Sequence, residues 1–201
     1  MRPTSDTERL DRLGVRKWTG DLNDAELLRR ASGEVDVVFH LAAVTAARDD
    51  AGYEMANVAG TRAIVEAIAG TERQPARLVY VSSYTACGPA PVDGVRSIEQ
   101  APAPLTAYGR TKLRGEEIVR SLAGRGVEVV VIRAPAVYGP GDRALLPYFR
   151  LIRWGIAPVP QRGENRLHLL YVEDLVEALH SNPQRLSPLP ASTRNVSGLA
   201  W

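Results

Sequence analysis

Three short apolar runs, separated by longer stretches of helical character, constrain the fold more than any other feature of the sequence. They are residues 35–40 (VDVVFH), 77–83 (RLVYVSS) and 127–133 (VEVVVIR). Near-continuous apolar runs of this length are typical of strands that are buried on both faces. Strands that alternate with helices form a parallel sheet with crossover helices. The sequence therefore predicts an α/β fold with a doubly wound parallel sheet.

The remaining elements are predicted from local signals. Residues 15–19 are expected to form a short strand, and residues 23–31 a helix whose N-cap is Asn23 or Asp21. Residues 86–104 are rich in proline and glycine and are predicted to form a loop. Further helices are expected at residues 52–69, 105–123, 144–154 and 173–180, and further short strands at 167–171 and 193–197.

Composition excludes several classes of function. The net charge of +2 is too close to balance to indicate a nucleic acid or an anionic membrane as the partner. The sequence has no apolar run of about 18 residues, so no membrane span is expected, and residues 1–14 are too polar for a signal peptide. The single cysteine, Cys87, cannot form an internal disulfide, so a reducing, cytoplasmic location is expected.

Tyr108 and Lys112 form the first motif that could take part in catalysis. Only two of the 25 basic residues are lysines, Lys17 and Lys112. Residues at positions i and i+4 share one face of a helix, so the phenol and the ammonium can converge. A nearby ammonium favours phenolate and lowers the tyrosine pKa, and such a phenol can exchange a proton with a hydroxyl or carbonyl. The alternative is a solvated surface pair.

Ser83 closes the second buried run and is a candidate ligand-binding hydroxyl. Ligands of open parallel sheets bind outside the carboxyl ends of the strands, so its hydroxyl could bond a substrate oxygen. The alternative is a serine that only caps the end of a strand.

Asp21 follows the candidate strand at residues 15–19. It could accept a hydrogen bond from an adenine amino group or cap the next helix.

His40 ends the first buried run, and small residues follow it. Ala42 and Ala43 at the carboxyl end of a strand would let the backbone approach a bulky ligand. His40 itself is expected to be a packed histidine. The three histidines show no metal-like spacing, so no metal site is expected.

These motifs become specific through their order. GDL (20–22), HLAA (40–43), NVAGT (57–61), VSS (81–83), YxxxK (108–112), RAPAVYGPG (133–141) and YVEDL (171–175) follow one another along the chain. In this order the sequence resembles the extended short-chain dehydrogenase/reductases. These NAD- or NADP-dependent enzymes include sugar-nucleotide epimerases and dehydratases, dihydroflavonol-type reductases and 3β-hydroxysteroid dehydrogenases. The resemblance spans residues 11–198.

The resemblance implies a role for each matching residue. Tyr108 corresponds to the catalytic acid/base, Lys112 to the residue that lowers its pKa and holds the nicotinamide ribose, and Ser83 to the hydroxyl that orients the reacting oxygen. The implied cofactor contacts are Asp21 and Leu22 at adenine, Leu41, Ala42 and Ala43 along phosphate and ribose, Asn57 beside the cofactor, and Pro135 at the nicotinamide. Residues 171–174 correspond to the element that closes the substrate side.

Two departures bear on the substrate. Ala136 stands where many sugar-nucleotide members have asparagine, and Cys87 stands where tyrosine is frequent. The loss of the asparagine amide at Ala136 weakens the case for a sugar nucleotide, and Cys87 alters one wall of the pocket. Residues 133–150 resemble the reductase and hydroxysteroid-type branches more than the epimerases. The expected substrate is therefore a small hydroxy or keto compound, with sugar nucleotide, steroid and other classes left open.

The glycine-rich turn that opens the family's cofactor site has no counterpart in the sequence. Its backbone amides and helix N-terminus hold the pyrophosphate, whereas Gly14, Gly20 and Gly33 do not form that pattern. We therefore expect a partial Rossmann-type sheet that lacks the first βαβ unit. Residues 1–134 would form a partial NAD(P)-binding domain, and residues 135–201 a reduced substrate-side lobe interwoven with it. NAD and NADP both remain open, because their choice normally depends on the absent second strand.

The missing unit leaves three alternatives for the edge of the strand at 35–40. The strand at 15–19 pairs with it, the edge stays open, or another chain covers it. Three functions stay open as well: an NAD(P)-dependent oxidoreductase, epimerase or dehydratase; an inactive remnant that cannot hold the dinucleotide alone; and an interaction module that uses the sheet edge. A homodimer is one expected assembly.

Overall fold

A computed structural model describes residues 7–91, 94–97, 99–158 and 167–180. The strands of this part of the chain are β1 Val37–His40, β2 Arg77–Ser83, β3 Glu128–Ala134, β4 Ala136–Tyr138 and β5 Leu169–Tyr171. Its α-helices are α1 Glu8–Arg12, α2 Ala25–Gly33, α3 Asp50–Tyr53, α4 Gly60–Ala69, α5 Ala107–Arg120, α6 Leu146–Arg153 and α7 Val172–His180. A π-helix, Glu54–Ala59, joins α3 to α4, and a 3-10 turn, Tyr84–Ala86, follows β2.

The parallel sheet predicted from the apolar runs is confirmed. Strands β1, β2 and β3 form a three-stranded parallel sheet in that order, with His40 opposite Tyr80 and Ser83 opposite Ala134. Strands β4 and β5 form a second, two-stranded parallel sheet. Strand β4 was not predicted from the sequence, because it is only three residues long and lies between Pro135 and Gly139. The strand expected at residues 193–197 lies outside the described residues.

Residues 15–19 are not a strand, contrary to the prediction. Trp18 is instead covered by two guanidinium groups, with Arg16 at 4.3 Å and Arg30 at 5.4 Å from its ring centroid. Lys17 is paired with Asp11. These local cation contacts compete with strand pairing, and within the described ranges β1 pairs only with β2. Pairing with residues 15–19 is therefore excluded, and among the described residues no strand other than β2 pairs with β1.

The N-cap of α2 also differs from the prediction. The Oδ1 of Asp24, not Asn23 or Asp21, accepts the backbone N–H of Leu27 at 3.0 Å. The Oδ1 of Asp21 accepts the backbone N–H of Asn23 at 2.9 Å and so closes a turn just before the helix. Three of the four residues 21–24 can cap a helix or form a turn, and only the observed helix start at Ala25 distinguishes them.

Each face of the three-stranded sheet packs against its own apolar cluster. On one face, α4 and α5 bury Ile68, Leu78 and Val119, which have no exposed surface. On the other face, Val79, Val130 and Leu175 of α7 form the second cluster. The sheet is therefore buried on both faces, as the continuous apolar runs predicted. No helix within the described ranges is long and apolar enough to cross a membrane.

His40 is a packed histidine, as expected. It is 2% exposed, its Nε2 lies 2.9 Å from the Thr61 hydroxyl, and its Nδ1 has no hydrogen-bond partner. Because Thr61 donates its hydrogen to the Asn57 carbonyl at 2.6 Å, the Nε2 of His40 must be the donor. Burial, together with a smaller effect of the Lys112 charge, lowers the pKa of His40 to about 4.

This low pKa predicts an acid-sensitive fold. The unfolded chain binds a proton at His40 below about pH 6.5, whereas the folded chain does so only below about pH 4. The contribution of the neutral His40 to stability is therefore fully present above pH 6.5. Roughly 3 kcal/mol of it is lost as the pH falls from 6.5 to about 4. Urea unfolding of the His40→Asn variant should lose most of this pH dependence, and the exposed His180→Asn variant should keep it. Equal pH dependence in wild type and His40→Asn would contradict this assignment.

Candidate active site

The carboxyl ends of the three strands meet at one edge of the sheet, where most of the predicted site residues lie. Ser83 is the last residue of β2, and Pro135 follows the last residue of β3. Leu41, Ala42 and Ala43 follow β1 and are exposed. Open parallel sheets bind their ligands at this edge.

Ser83 serves as a cap and is also in contact with the predicted acid/base. Its Oγ accepts the backbone N–H of Thr85 at 3.3 Å and the Thr85 hydroxyl at 3.0 Å. Because the Ser83 oxygen accepts both of these bonds, its own hydroxyl hydrogen is still available for donation. The Ser83 hydroxyl lies near enough to Tyr108 to lower the pKa of its phenol. The two interpretations of Ser83 that the sequence left open are therefore compatible.

Helix α5 brings Tyr108 to Ser83 through an unusually close approach. Thr106 caps the helix by accepting the Gly109 N–H at 3.0 Å. A Cβ at Gly109 would lie 2.4 Å from the backbone oxygen of Thr85. Glycine is therefore required beside Tyr108, because any side chain would push the start of the helix away from Ser83.

We accordingly expect Gly109→Ala to separate Tyr108 from Ser83. The clash is with backbone atoms, which cannot rotate away, and overpacking of this kind costs about 1–3 kcal/mol. Thermal unfolding should show the loss of stability. Gly124→Ala is the matched control for added volume, since a Cβ there meets nothing within 4 Å, although its φ of +82° adds local strain. A Gly109→Ala variant as stable as wild type would show that the helix is not pressed against Thr85.

Burial raises the pKa of Tyr108 above its ordinary value, the hydrogen bond from Ser83 opposes this rise, and the nearby Tyr53 adds to it. The rings of Tyr53 and Tyr108 lie 6.2 Å apart. This direction is opposite to the prediction that Lys112 lowers the pKa of Tyr108. The physical reason is the direction of the lysine side chain, which points toward the sheet.

Lys112 lies one helical turn after Tyr108 and is 2% exposed. Its Nζ donates to the carbonyl of Val81 at 2.6 Å and lies 4.3 Å from the centroid of the Tyr80 ring. Burial lowers the pKa of Lys112 to about 8, while the charge of Glu116 opposes this shift. The solvated surface pair that the sequence left open is excluded, since Lys112 is buried.

Asn57 lies in the π-helix and is 1% exposed. Its Oδ1 accepts the backbone N–H of Val44 at 2.8 Å, and its Nδ2 donates to the Val44 carbonyl at 3.1 Å and to Thr111 at 3.2 Å. It therefore connects the segment after β1 to the helix that carries Lys112. Short π-helical insertions are frequent at functional sites.

Asp21 and Leu22 occupy the turn that leads into α2. Asp21 is exposed, and Leu22 is half-buried against the first apolar cluster. A Cβ at Gly60 would lie 3.1 Å from Leu22 Cδ1, so this turn is packed closely onto the start of α4. The adenine contacts implied by the resemblance stay predictions.

No sequence motif predicted a role for Tyr53, Thr111 or Glu116, although each contacts a residue of the site or a residue that supports it. Glu116 follows Lys112 at the same four-residue spacing by which Lys112 follows Tyr108. Arg133 is a charged residue at the end of the mostly apolar run at residues 127–133. Those two signals together could have indicated a buried ion pair between the helix and the sheet.

Comparison with known proteins identifies the family of the chain. The sequence profile of the NAD dependent epimerase/dehydratase family matches residues 2–187. A ceramide reductase of Caulobacter vibrioides is 32% identical over 83% of this chain and 46% of its own length. A ketoreductase of Stigmatella aurantiaca, named for a farnesyl-dihydroquinoline oxide, is 32% identical over 73% of this chain and 44% of its own length.

Solved structures show the same fold. MoeE5 in complex with UDP-glucuronic acid and NAD superposes with a TM-score of 0.72 at 31% identity, over 82% of this chain and 57% of MoeE5. The chain spans about half the length of the relatives that it matches. The fold class predicted from the sequence is thereby confirmed, and the chain belongs to the NAD dependent epimerase/dehydratase family.

Proposed function

We propose that this chain carries the proton-transfer part of an NAD- or NADP-dependent oxidoreductase, epimerase or dehydratase that acts on a carbinol or keto carbon. The observation that carries the proposal is the placement of the Ser83 hydroxyl, at the carboxyl edge of the sheet, near the Tyr108 phenol, with Lys112 one turn further along the helix. A phenol, a hydroxyl and an ammonium at such an edge are suited to proton exchange with a substrate oxygen.

The residues at this edge suit a nicotinamide dinucleotide. Lys112 uses one N–H on Val81 and has two more that can donate to ribose hydroxyls. Leu41, Ala42 and Ala43 form an exposed segment. The small side chains of Ala42 and Ala43 would let a bulky ligand approach the backbone there. When bound, the nicotinamide supplies the acceptor or donor of a hydride.

Tyr108 would exchange the proton of the substrate oxygen. Because burial raises its pKa, the phenol is protonated at neutral pH and is ready to donate to a carbonyl oxygen that gains negative charge. Ser83, whose oxygen already receives two hydrogens from Thr85, would donate its own to the same substrate oxygen and orient it. In the opposite reaction Tyr108 would receive the proton of a hydroxyl.

The substrate class is proposed from the chain and its relatives together. Related proteins are named for a ceramide, a farnesylated quinoline and a sterol, and related structures contain sugar nucleotides. Ala136 removes the amide that many sugar-nucleotide members carry. We therefore propose a hydroxy or keto compound and rank lipophilic ketones above sugar nucleotides. A homodimer and a cytoplasmic location complete the proposal.

The proposal is tested with the purified chain, NADH or NADPH, and a panel of three substrate types: a steroid ketone, a long-chain 3-keto compound and a UDP-sugar. Loss of nicotinamide fluorescence and mass spectrometry of the product report turnover. Oxidation of the cofactor with one of the ketones is expected. No turnover with any substrate, together with no binding of either cofactor, would contradict the proposal. Light scattering on the same sample tests the homodimer.

A further inference from the structure

Glu116 is a carboxylate buried completely within the junction of α5 and the sheet. Its side chain is 0% exposed. Its Oε1 accepts from the Ser82 hydroxyl at 2.6 Å and from Arg133 Nε at 2.8 Å. Its Oε2 accepts from Arg133 Nη2 at 2.7 Å and from Arg120 Nη2 at 3.1 Å. Burial of an ion requires such complete pairing, because removal from water costs several kcal/mol.

The position of this carboxylate relates it to the proposed site. Glu116 lies one helical turn beyond Lys112, which lies one turn beyond Tyr108, so the three share the face of α5 that meets the sheet. Its partner Ser82 directly precedes Ser83, and Arg133 is opposite Ser82 in the sheet register. One buried anion thereby joins the helix that carries Tyr108 to the strand that carries Ser83.

We propose that Glu116 is a positioning residue for the site: its buried negative charge keeps the Lys112 side chain as an ammonium on the Val81 carbonyl and fixes the register of α5 against β2. This inference rests on the proposed function of Ser83, Tyr108 and Lys112. It adds to that function a group that contacts neither substrate nor cofactor.

The charge balance around Lys112 supports this role. Lys112 is a buried cation, and Glu116, which pairs with Arg133, is a buried anion whose charge opposes the lowering of the Lys112 pKa. Without the carboxylate, the buried lysine would lose its proton more readily. The titratable groups that face this cluster are His40 from β1, Tyr80 from β2, Cys87 after the 3-10 turn, Tyr108 and Arg120 from α5, and Arg133 from β3.

The two lysines of the chain make a direct test possible. Lysine labelled with a carbon isotope at Cε gives one NMR signal for Lys112 and one for Lys17, and each signal titrates with its own ammonium. In wild type the Lys112 signal should titrate near pH 8. In Glu116→Gln its midpoint should fall by about one pH unit. The neighbouring Glu117 is exposed, and Glu117→Gln is the matched control that should leave the midpoint in place.

A second variant decides the question if Glu116→Gln does not fold. Arg120 donates to Glu116 and offsets part of its charge, and it is partly exposed. Arg120→Gln should therefore raise the Lys112 midpoint by about half a pH unit. The titration requires neither cofactor nor substrate, so its failure is distinct from failure of the proposed function. Unchanged Lys112 midpoints in the folded Glu116→Gln or Arg120→Gln chain would overturn the inference.

Discussion

Replacement of Tyr108 by phenylalanine is expected to lower the rate of cofactor oxidation by about 10²–10⁴-fold, the usual contribution of a positioned general acid. The variant keeps the ring that packs beside Tyr53 and loses only the hydroxyl whose pKa Ser83 lowers. Cofactor affinity should change little, because Lys112 retains its contact with Val81. Single-turnover measurements with the most active substrate of the panel separate the rate from the affinity.

The control for Tyr108→Phe is Tyr148→Phe. Tyr148 lies on α6 and is 42% exposed, so removal of its hydroxyl should leave the rate within a few fold of wild type. A Tyr108→Phe variant that retains the wild-type rate would exclude this phenol as the proton donor, even if cofactor binding persists.

Arg133→Met should reduce the free energy of unfolding by about 3–5 kcal/mol, since it leaves the Glu116 carboxylate buried with a diminished set of donors. Both charged groups of the Arg133–Glu116 pair are inaccessible or nearly so, with side-chain exposures of 8% and 0%. Urea unfolding followed by circular dichroism measures this loss. A bound carboxylate also keeps the pKa of Arg133 above its ordinary value, so the guanidinium stays charged.

Arg77→Met provides the comparison, because Arg77 of β2 pairs with Glu128 of the neighbouring strand β3. That pair is partly exposed, with side-chain exposures of 27% and 41%, so its removal should cost less than about 1 kcal/mol. The double variant Glu116→Met with Arg133→Met should recover most of the stability, because well-packed apolar groups often replace a buried ion pair at little cost. Equal losses in Arg133→Met and Arg77→Met would show that burial does not set the value of the pair.

The sheet was predictable because burial on both faces leaves a direct mark on the sequence. The run at residues 77–83 coincides with β2, and the runs at 35–40 and 127–133 differ from β1 and β3 by one or two residues at their ends. Helix α5 was expected at residues 105–123 and extends over Ala107–Arg120. Its start follows from the Thr106 cap, a local signal that the wider apolar pattern obscures.

Tertiary contacts decide the features that were missed. Residues 15–19 have the composition of a strand, but a strand needs a neighbour, and Trp18 instead contacts Arg16 and Arg30. The direction of the Tyr108 pKa depends on where the Lys112 ammonium points, and helical spacing alone does not specify that. The four donors of Glu116 come from two strands and one helix, so no local pattern in the sequence identifies them.

The central claim is that the edge formed by Ser83, Tyr108 and Lys112 accepts a nicotinamide dinucleotide. The most direct measurement adds NAD⁺ and, separately, NADP⁺ to the chain labelled at lysine Cε. The account predicts that one of them shifts the Lys112 signal, while Lys17, which pairs with Asp11, stays unchanged as the internal control. A Lys112 signal that stays in place at millimolar concentrations of both dinucleotides, in a chain shown to be folded, would contradict the account.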